Sequence, residues 1–306
     1  MTMSAKAITP NPDLRLFDTH AHFFTSDTTG YPVNVTGARE GEEVIIHRIK
    51  TGPATPEHIF GLWDACGVTG GAAVQYHSIY KKDNSYCIAA ADKHAKRLSA
   101  VLMLDATLPA TPSILCELTK KHNICGLRLF GFPDAEGNYP WLDSTAALES
   151  WEVAADTGLH MVVMYAPGQP SLEVLGRVKA LAQRFPQTSI SLDHLGWPAL
   201  DADPDQAITP AHKFLADQDN ISLKFTQINF HRFIEAGTPA DAFLRRAVDI
   251  FGPHRIMWGS DVGNTKNSYK EMVANAISST RLLTDTERAM VLHDNGAKLF
   301  ARRAIS

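Results

Sequence analysis

His20 and His22 stand one residue apart in the run Leu14-Arg15-Leu16-Phe17-Asp18-Thr19-His20-Ala21-His22-Phe23-Phe24. On an extended strand successive side chains point to opposite faces, so the two imidazoles share a face at the strand's end. Two imidazoles placed side by side can hold a metal ion, polarise a carbonyl or share a proton. A pair of surface histidines where a strand meets a loop is the reading without chemistry. Other polar residues ending apolar runs weigh against it: Asp193-His194 before Gly196, Gly259-Ser260-Asp261, and Arg128 before Phe130-Gly131. An ionised carboxylate such as Asp261 can take a proton from water. Donors from His20, His22 and His194, fixed before the reaction, can stabilise charge that grows on a carbonyl oxygen. The planar fork of Arg128 suits a substrate carboxylate.

Such residues need elements that bring them together. Strands are expected at 14–22, 70–76, 98–104, 124–130, 160–165, 188–193, 221–225 and 255–258. Helical stretches fall between and after them, at 55–66, 84–97, 111–122, 144–157, 171–185, 209–218, 239–251, 269–280 and 285–301. Thr55-Pro56 and Gly158 are start and stop signals of the usual kind. The strands are mostly continuous apolar runs, which indicates burial on both faces, as in a parallel sheet covered by helices. Eight β/α units in 306 residues are the arithmetic of a single-domain (β/α)8 TIM barrel spanning 1–306. Residues 1–13 read as an N-terminal tail and 25–54 as a long loop, disordered or a lid. A doubly wound open sheet is the competing architecture, but no GxGxxG follows the first strand.

A barrel of this kind builds its active site at the C-terminal ends of its strands. The strand ends then present Gln75, Tyr76 and His77, Asp105, Arg128, Tyr165, Asp193 and His194, Lys224 with the nearby Asn229, His231 and Arg232, and Asp261. For Arg128, substrate binding and a structural salt bridge both stay open. Tyr165 can bind or simply pack, and Lys224 can equally be the partner of a buried carboxylate. His47, His58, His94, His122, His212, His254 and His293 fall on helices, loops or helix ends and are expected to be solvated.

Composition narrows the classes. With 29 Lys and Arg against 33 Asp and Glu, the formal net charge is −4. No basic face or run points to nucleic acid. No apolar run approaches the ~20 residues of a membrane helix, and the start lacks a signal-peptide core, so a cytoplasmic protein is expected. The four cysteines form no CxxC pair, so reduced, mostly buried thiols are expected rather than disulfides, a structural zinc site or a nucleophile.

The segments DTHAHFF, GLRLF, LDHLGW, MWGSD and the closing DNGAKLF resemble, in order and over nearly the whole chain, the amidohydrolase superfamily in its amidohydrolase-2 branch. In the zinc-dependent members the metal takes HxH, a strand-five His and the strand-eight Asp. Here strand five starts with His160, at the wrong end, and ends with Met164-Tyr165, and strand four offers Arg128 where a carboxylatable Lys is absent. The chain is more similar to the lactonases of the 2-pyrone-4,6-dicarboxylate type and the related sugar-lactone hydrolases and isomerases. That resemblance implies His20, His22, His194 and Asp261 as catalytic residues. It implies Arg128 and Tyr165 as substrate-binding residues with Lys224 and Arg232 as looser candidates, and Gln75 and His77 join them from their place on the rim. The expected function is metal-independent hydrolysis of a small carboxylate-bearing lactone of the 2-pyrone-dicarboxylate, muconolactone or sugar-acid type. The alternatives are a zinc-dependent decarboxylase or hydrolase using His20, His22 and Asp261, a lactone isomerase, and a silent binding barrel, against which the four intact polar residues argue. Expected partners are a small anionic lactone or carboxylate, with no nucleic acid and no membrane, and the oligomeric state stays open.

Overall fold

The computed structural model describes residues 14–165, 171–200, 208 and 210–300. The expected tail 1–13, the start of the expected helix at Thr209 and the end of the closing helix at Ala301 lie outside the described residues. Eight parallel strands run in chain order around the sheet: β1 (Leu16–Ala21), β2 (Val68–Val74), β3 (Leu98–Leu102), β4 (Ile124–Gly131), β5 (His160–Tyr165), β6 (Ile190–Leu192), β7 (Ile221–Phe225) and β8 (Ile256–Trp258). Each pairs with the next in parallel, and helices fill the connections, so the molecule is the expected single-domain (β/α)8 TIM barrel. Among the described residues no helix is long and apolar enough to cross a membrane.

The seam between β8 and β1 matters most for function. Past the end of β8 the chain pairs with β1 through Asp261 N–H to His20 O (2.7 Å) and His22 N–H to Val262 O (3.0 Å). Gly259 permits this approach, because a Cβ there would lie 2.5 Å from His20 Cβ. The buried Asp18 carboxylate staples the seam, accepting from Ser260 N (2.8 Å), Ser260 Oγ (2.6 Å) and Tyr269 Oη (2.9 Å). The two segments singled out by residue type are therefore neighbours because the barrel closes there.

Local signals explain the helices that frame the strands. Helix Pro56–Cys66 has Thr55 as its cap, accepting from His58 N–H, and ends in left-handed Gly67. Helix Thr145–Thr157 runs likewise from Ser144 to left-handed Gly158. Two of the helices that depart from expectation bear on the site. The connection 25–54, expected to be irregular, contains helix Glu42–Thr51, which buries Ile45 and Ile49. Residues after β7 form helix Gln227–Ala236, which opens with a capping box between Thr226 and Asn229. The apolar layer between strands and helices is continuous, and a separate cluster gathers Phe17, Val74, Val101, Val162 and Met257 around Phe300. The cysteines form no disulfide; Cys87 and Cys125 are buried and the other two half-buried.

Candidate active site

His20 and His22, at the end of β1, meet Asp261 across the seam. His20 Nε2 and His22 Nε2 lie 3.3 Å apart. Asp261 Oδ1 is 3.5 Å from the first and 3.3 Å from the second. All three side chains are buried. The partners of the other ring nitrogens assign the tautomers. His22 Nδ1 lies 2.9 Å from Val74 O, a carbonyl that can only accept, so Nδ1 carries hydrogen. His20 Nδ1 faces Asp193 Oδ1 at 3.4 Å, a carboxylate oxygen, and it too carries hydrogen. In the neutral imidazoles both Nε2 atoms are then lone pairs aimed at one another and at Asp261 Oδ1, a buried oxygen with no hydrogen-bond donor. Three acceptors converging on one point can be reconciled by a metal ion between them or by one shared proton. Fixed tautomers backed by a carboxylate and a backbone carbonyl are what metal-ligating histidines have, so this donor set fits a divalent metal ion.

Burial drives His20 down to about 3, against the opposing pull of Asp193, so its ring is uncharged near neutral pH. Burial pushes the Asp261 carboxyl up, but its contact with His22 and the neighbouring His20 and His194 outweigh that and hold it at about 2. Asp261 is therefore ionised. Its second oxygen accepts from Asn264 Nδ2 at 2.9 Å, and its backbone sits in the left-handed region at φ 63°.

His194 approaches from the other side, its ring centroid 5.4 Å from that of His20. It begins a run of four left-handed residues, His194, Leu195, Gly196 and Trp197, with φ of 52°, 60°, 62° and 55°. Left-handed backbone costs an L-residue roughly 1–2 kcal/mol, so the turn persists only because its surroundings hold it. Asn229 Nδ2 donates to His194 O at 2.8 Å, and Tyr165 Oη and the His212 ring both bond to Gly196 O. Burial pulls His194 down to about 4.

Beneath the histidines lies Asp193, which no reading of residue spacing marked as an organiser. Its Oδ2 takes Arg128 Nε at 2.7 Å and its Oδ1 takes Lys224 Nζ at 3.0 Å. Burial would raise its carboxyl, but Lys224, His20 and Arg128 together hold it well below the ordinary range. An aspartate ending a buried strand must be paired, and that was the available signal.

Above this floor opens a cavity of about 280 Å³ whose wall includes His22, His77, Arg128, His194 and Asp261, with Phe130 and Met164 as apolar surface. Of the expected substrate-binding residues, Arg128 and His77 face it. Arg128 resolves both of its open readings: it is salt-bridged to Asp193 and still lines the cavity. Burial pulls the His77 ring, which meets the Phe130 ring edge to face, down to about 4.

Four of the residues named from the sequence are turned away from the cavity, and for Lys224 this is the second of its two open readings. Tyr165 does not line the cavity; on β5 it has the opposite parity to Met164, which pairs with Phe130 and takes the wall position. Gln75 turns its amide to the carbonyls of Lys81 and Asp83 and ties down the loop after β2. Lys224 is fully buried as the partner of Asp193. Arg232, carried away on helix Gln227–Ala236, donates to Pro198 O and lies over the Trp197 ring. His160 stands at the start of β5 and pairs with Ser191, far from the other histidines as expected. His212 and His293, expected to be solvated, are buried. Two supports stand behind the histidines, one at an expected strand end and one that the sequence did not mark. Tyr76 stacks on His22 at 4.6 Å between centroids. Arg48, from the unexpected helix, holds Tyr76 Oη (2.8 Å) and Gly263 O (2.7 Å).

A family model described as amidohydrolase matches residues 17–302. No curated protein sequence matches the chain. Among solved structures, a Pseudomonas putida protein provisionally described as a 2-pyrone-4,6-dicarboxylic acid hydrolase is 22% identical, with a TM-score of 0.68 over 94% of this chain and 97% of that one. An amidohydrolase from Burkholderia multivorans with bound zinc is 20% identical, with a TM-score of 0.69 over 94% and 100%. A dihydroxybenzoic acid decarboxylase from Polaromonas, with bound manganese and the inhibitor 2-nitroresorcinol, is 14% identical, with a TM-score of 0.66 over 94% and 97%. At these identities the likeness establishes a shared fold.

Proposed function

Because the chain belongs to the amidohydrolase family, we propose that it hydrolyses a small lactone bearing at least one carboxylate, and that His20, His22 and Asp261 hold a divalent metal ion such as zinc. The observation that carries this reading is the convergence of two Nε2 lone pairs and the donor-less Asp261 Oδ1 at the foot of a cavity with Arg128 on its wall. The metal-free enzyme expected from the sequence gives way to the zinc alternative on this ground. The zinc of the Burkholderia multivorans protein and the manganese of the Polaromonas decarboxylase support it. The description of the Pseudomonas putida protein supports a lactone as substrate.

When bound, such an ion supplies Lewis-acid polarisation at the reacting oxygen. The residues of the chain do the rest. Arg128 takes the substrate carboxylate and sets the ring's position over Asp261. Asp261, ionised, accepts the proton of the water that adds to the carbonyl carbon. His194 donates a hydrogen bond to the carbonyl oxygen as charge builds there, a contribution of about 3 kcal/mol for a well-placed donor. The ring C–O bond breaks and the departing oxygen takes the proton back from Asp261. Phe130 and Met164 give the cavity an apolar wall.

A second reading rests on Met164. It stands in the cavity wall near the end of β5, the strand that offers no imidazole there, with its sulfur on Arg128 Nη2 at 2.7 Å. On that reading one shared proton, rather than a metal, satisfies the three acceptors. Metal analysis of the purified protein, with turnover of carboxylated lactones followed by acid release, separates the two. Stoichiometric zinc, activity lost to a chelator and regained with zinc are the expected results. Full turnover by demonstrably metal-free protein would overturn the metal assignment, and product identification by NMR distinguishes hydrolysis from isomerisation or decarboxylation.

A further inference from the structure

We propose that Thr226 is a positioning residue that fixes the proton of His194 on Nε2 and so makes this histidine a hydrogen-bond donor toward the cavity, in contrast to His20 and His22. The inference rests on the reading of His194 as a group that faces the reacting carbonyl.

The contrast comes from what each ring's Nδ1 meets. For His20 and His22 it meets an acceptor, the Asp193 carboxylate or the Val74 carbonyl, and the lone pair is left on Nε2. For His194 it meets the hydroxyl of Thr226 at 2.7 Å. A hydroxyl can donate its one hydrogen and accept at two lone pairs, so its direction here is set by where that hydrogen can go. As the cap of helix Gln227–Ala236, Thr226 accepts the Asn229 N–H at its side-chain oxygen. Thr226 is fully buried, so its hydrogen cannot go to solvent, and a buried hydroxyl hydrogen without an acceptor is costly. The described residues offer it one acceptor, His194 Nδ1. Donation there leaves Nε2 as the protonated nitrogen, on the edge of the ring that lines the cavity.

The same capping box fixes the aim of the ring. Asn229 Oδ1 accepts from Thr226 N–H at 2.9 Å while its Nδ2 donates to His194 O at 2.8 Å. One helix start thus holds both the ring nitrogen and the left-handed backbone of His194. Three histidines around one cavity accordingly divide into two lone-pair donors for a cation and one hydrogen donor for a substrate oxygen.

The test compares Thr226→Val with Thr226→Ser in the full chain, with nitrogen-15 NMR of histidine-labelled protein and steady-state kinetics as readouts. The His194 signals are assigned by their loss in His194→Gln. The expected result is an Nε2–H tautomer for His194 in wild type and in Thr226→Ser, and a shift toward the Nδ1–H form in Thr226→Val. Turnover in Thr226→Val falls tenfold or more in kcat with little change in KM, and serine restores it. Loss of the helix cap in Thr226→Val lowers stability but by itself leaves the tautomer unmoved, so the NMR readout separates positioning from structure. An unchanged tautomer in Thr226→Val, or a serine variant that behaves like valine, would overturn the inference. His194→Gln with wild-type turnover would instead sink the active-site reading while leaving the tautomer result standing.

Discussion

Replacing Asp193 by Asn removes the one negative charge that three cationic or hydrogen-donating groups share, and the structure sets the size of the effect. Lys224 Nζ is 3.0 Å from Oδ1, Arg128 Nε 2.7 Å from Oδ2 and His20 Nδ1 3.4 Å from Oδ1. The side chains of Asp193 and Lys224 are wholly inaccessible to solvent. Breaking a buried ion pair from one side leaves an uncompensated charge and costs about 3–5 kcal/mol. With an m-value of about 3 kcal/mol/M, that is a fall of roughly 1–2 M in the urea midpoint. The pH dependence has a definite sign. Burial already pulls the Lys224 ammonium below its ordinary 10.5, and Asp193 is what opposes that pull. In Asp193→Asn the folded-state value drops further, so the unfolded chain binds the proton more tightly. The variant's stability must then rise with pH until the unfolded value near 10.5 is passed. Adding Lys224→Met should recover most of the loss, because a methionine there needs no counter-charge. Urea melts of the two single variants and the double variant form the cycle. A loss of less than ~1 kcal/mol in Asp193→Asn, the size of an ordinary hydrogen bond, or a double variant no more stable than Asp193→Asn, would refute the assignment of Asp193 as the keystone.

Other perturbations follow the same logic. Gly259→Ala places a Cβ 2.5 Å from His20 Cβ and 2.8 Å from His20 N; the seam must open, at a cost of about 1–3 kcal/mol, and zinc titration by calorimetry should show weakened uptake along with the lowered melting temperature. Lys81 is held at φ 52° and ψ −116°, a conformation that glycine adopts freely, so Lys81→Gly should stabilise by about 1 kcal/mol in urea melts; a destabilised variant would mean that the side chain carries more than the backbone strain costs. Glu287 is pulled from 4.5 to about 2, chiefly by its bond to Arg245. Its folded value is depressed, so its stabilisation is present above pH 4.5 and lost as the pH falls toward 2. Glu287→Gln should flatten the stability profile across that window, as thermal melts at stepped pH would show.

The barrel was legible in the sequence because each strand is a short apolar run and several connections carry explicit caps, such as Thr55-Pro56 and Ser144 with Gly158. Helix Glu42–Thr51 was not, because Gly41 and Gly52 bracket a charged segment that buries only Ile45 and Ile49. The proposed catalytic quartet could be read because His20, His22, His194 and Asp261 each end a strand or stand just past one. Tyr165 was misplaced by one residue of parity: counting from the Arg128–Val162 and Phe130–Met164 register puts Met164 on the cavity face and Tyr165 behind it. The Asp193 cage was hidden for a different reason. Its members come from β1, β4 and β7, and only the closed barrel brings them to one carboxylate.

The metal question shows the same limit. Strand five lacks an imidazole at its C-terminal end, and judged by ligand count alone that absence favours chemistry without a metal. The closed seam supplies a different criterion. Asp193 and the Val74 carbonyl stand behind the Nδ1 atoms of His20 and His22, and the orientation they favour turns three acceptors toward one space. A donor set is therefore better judged by what lies behind each ligand than by how many ligands there are. By that measure His20 and His22 suit the proposed metal ion. His194, backed by a hydroxyl instead of a carboxylate or carbonyl, is built to give a hydrogen bond.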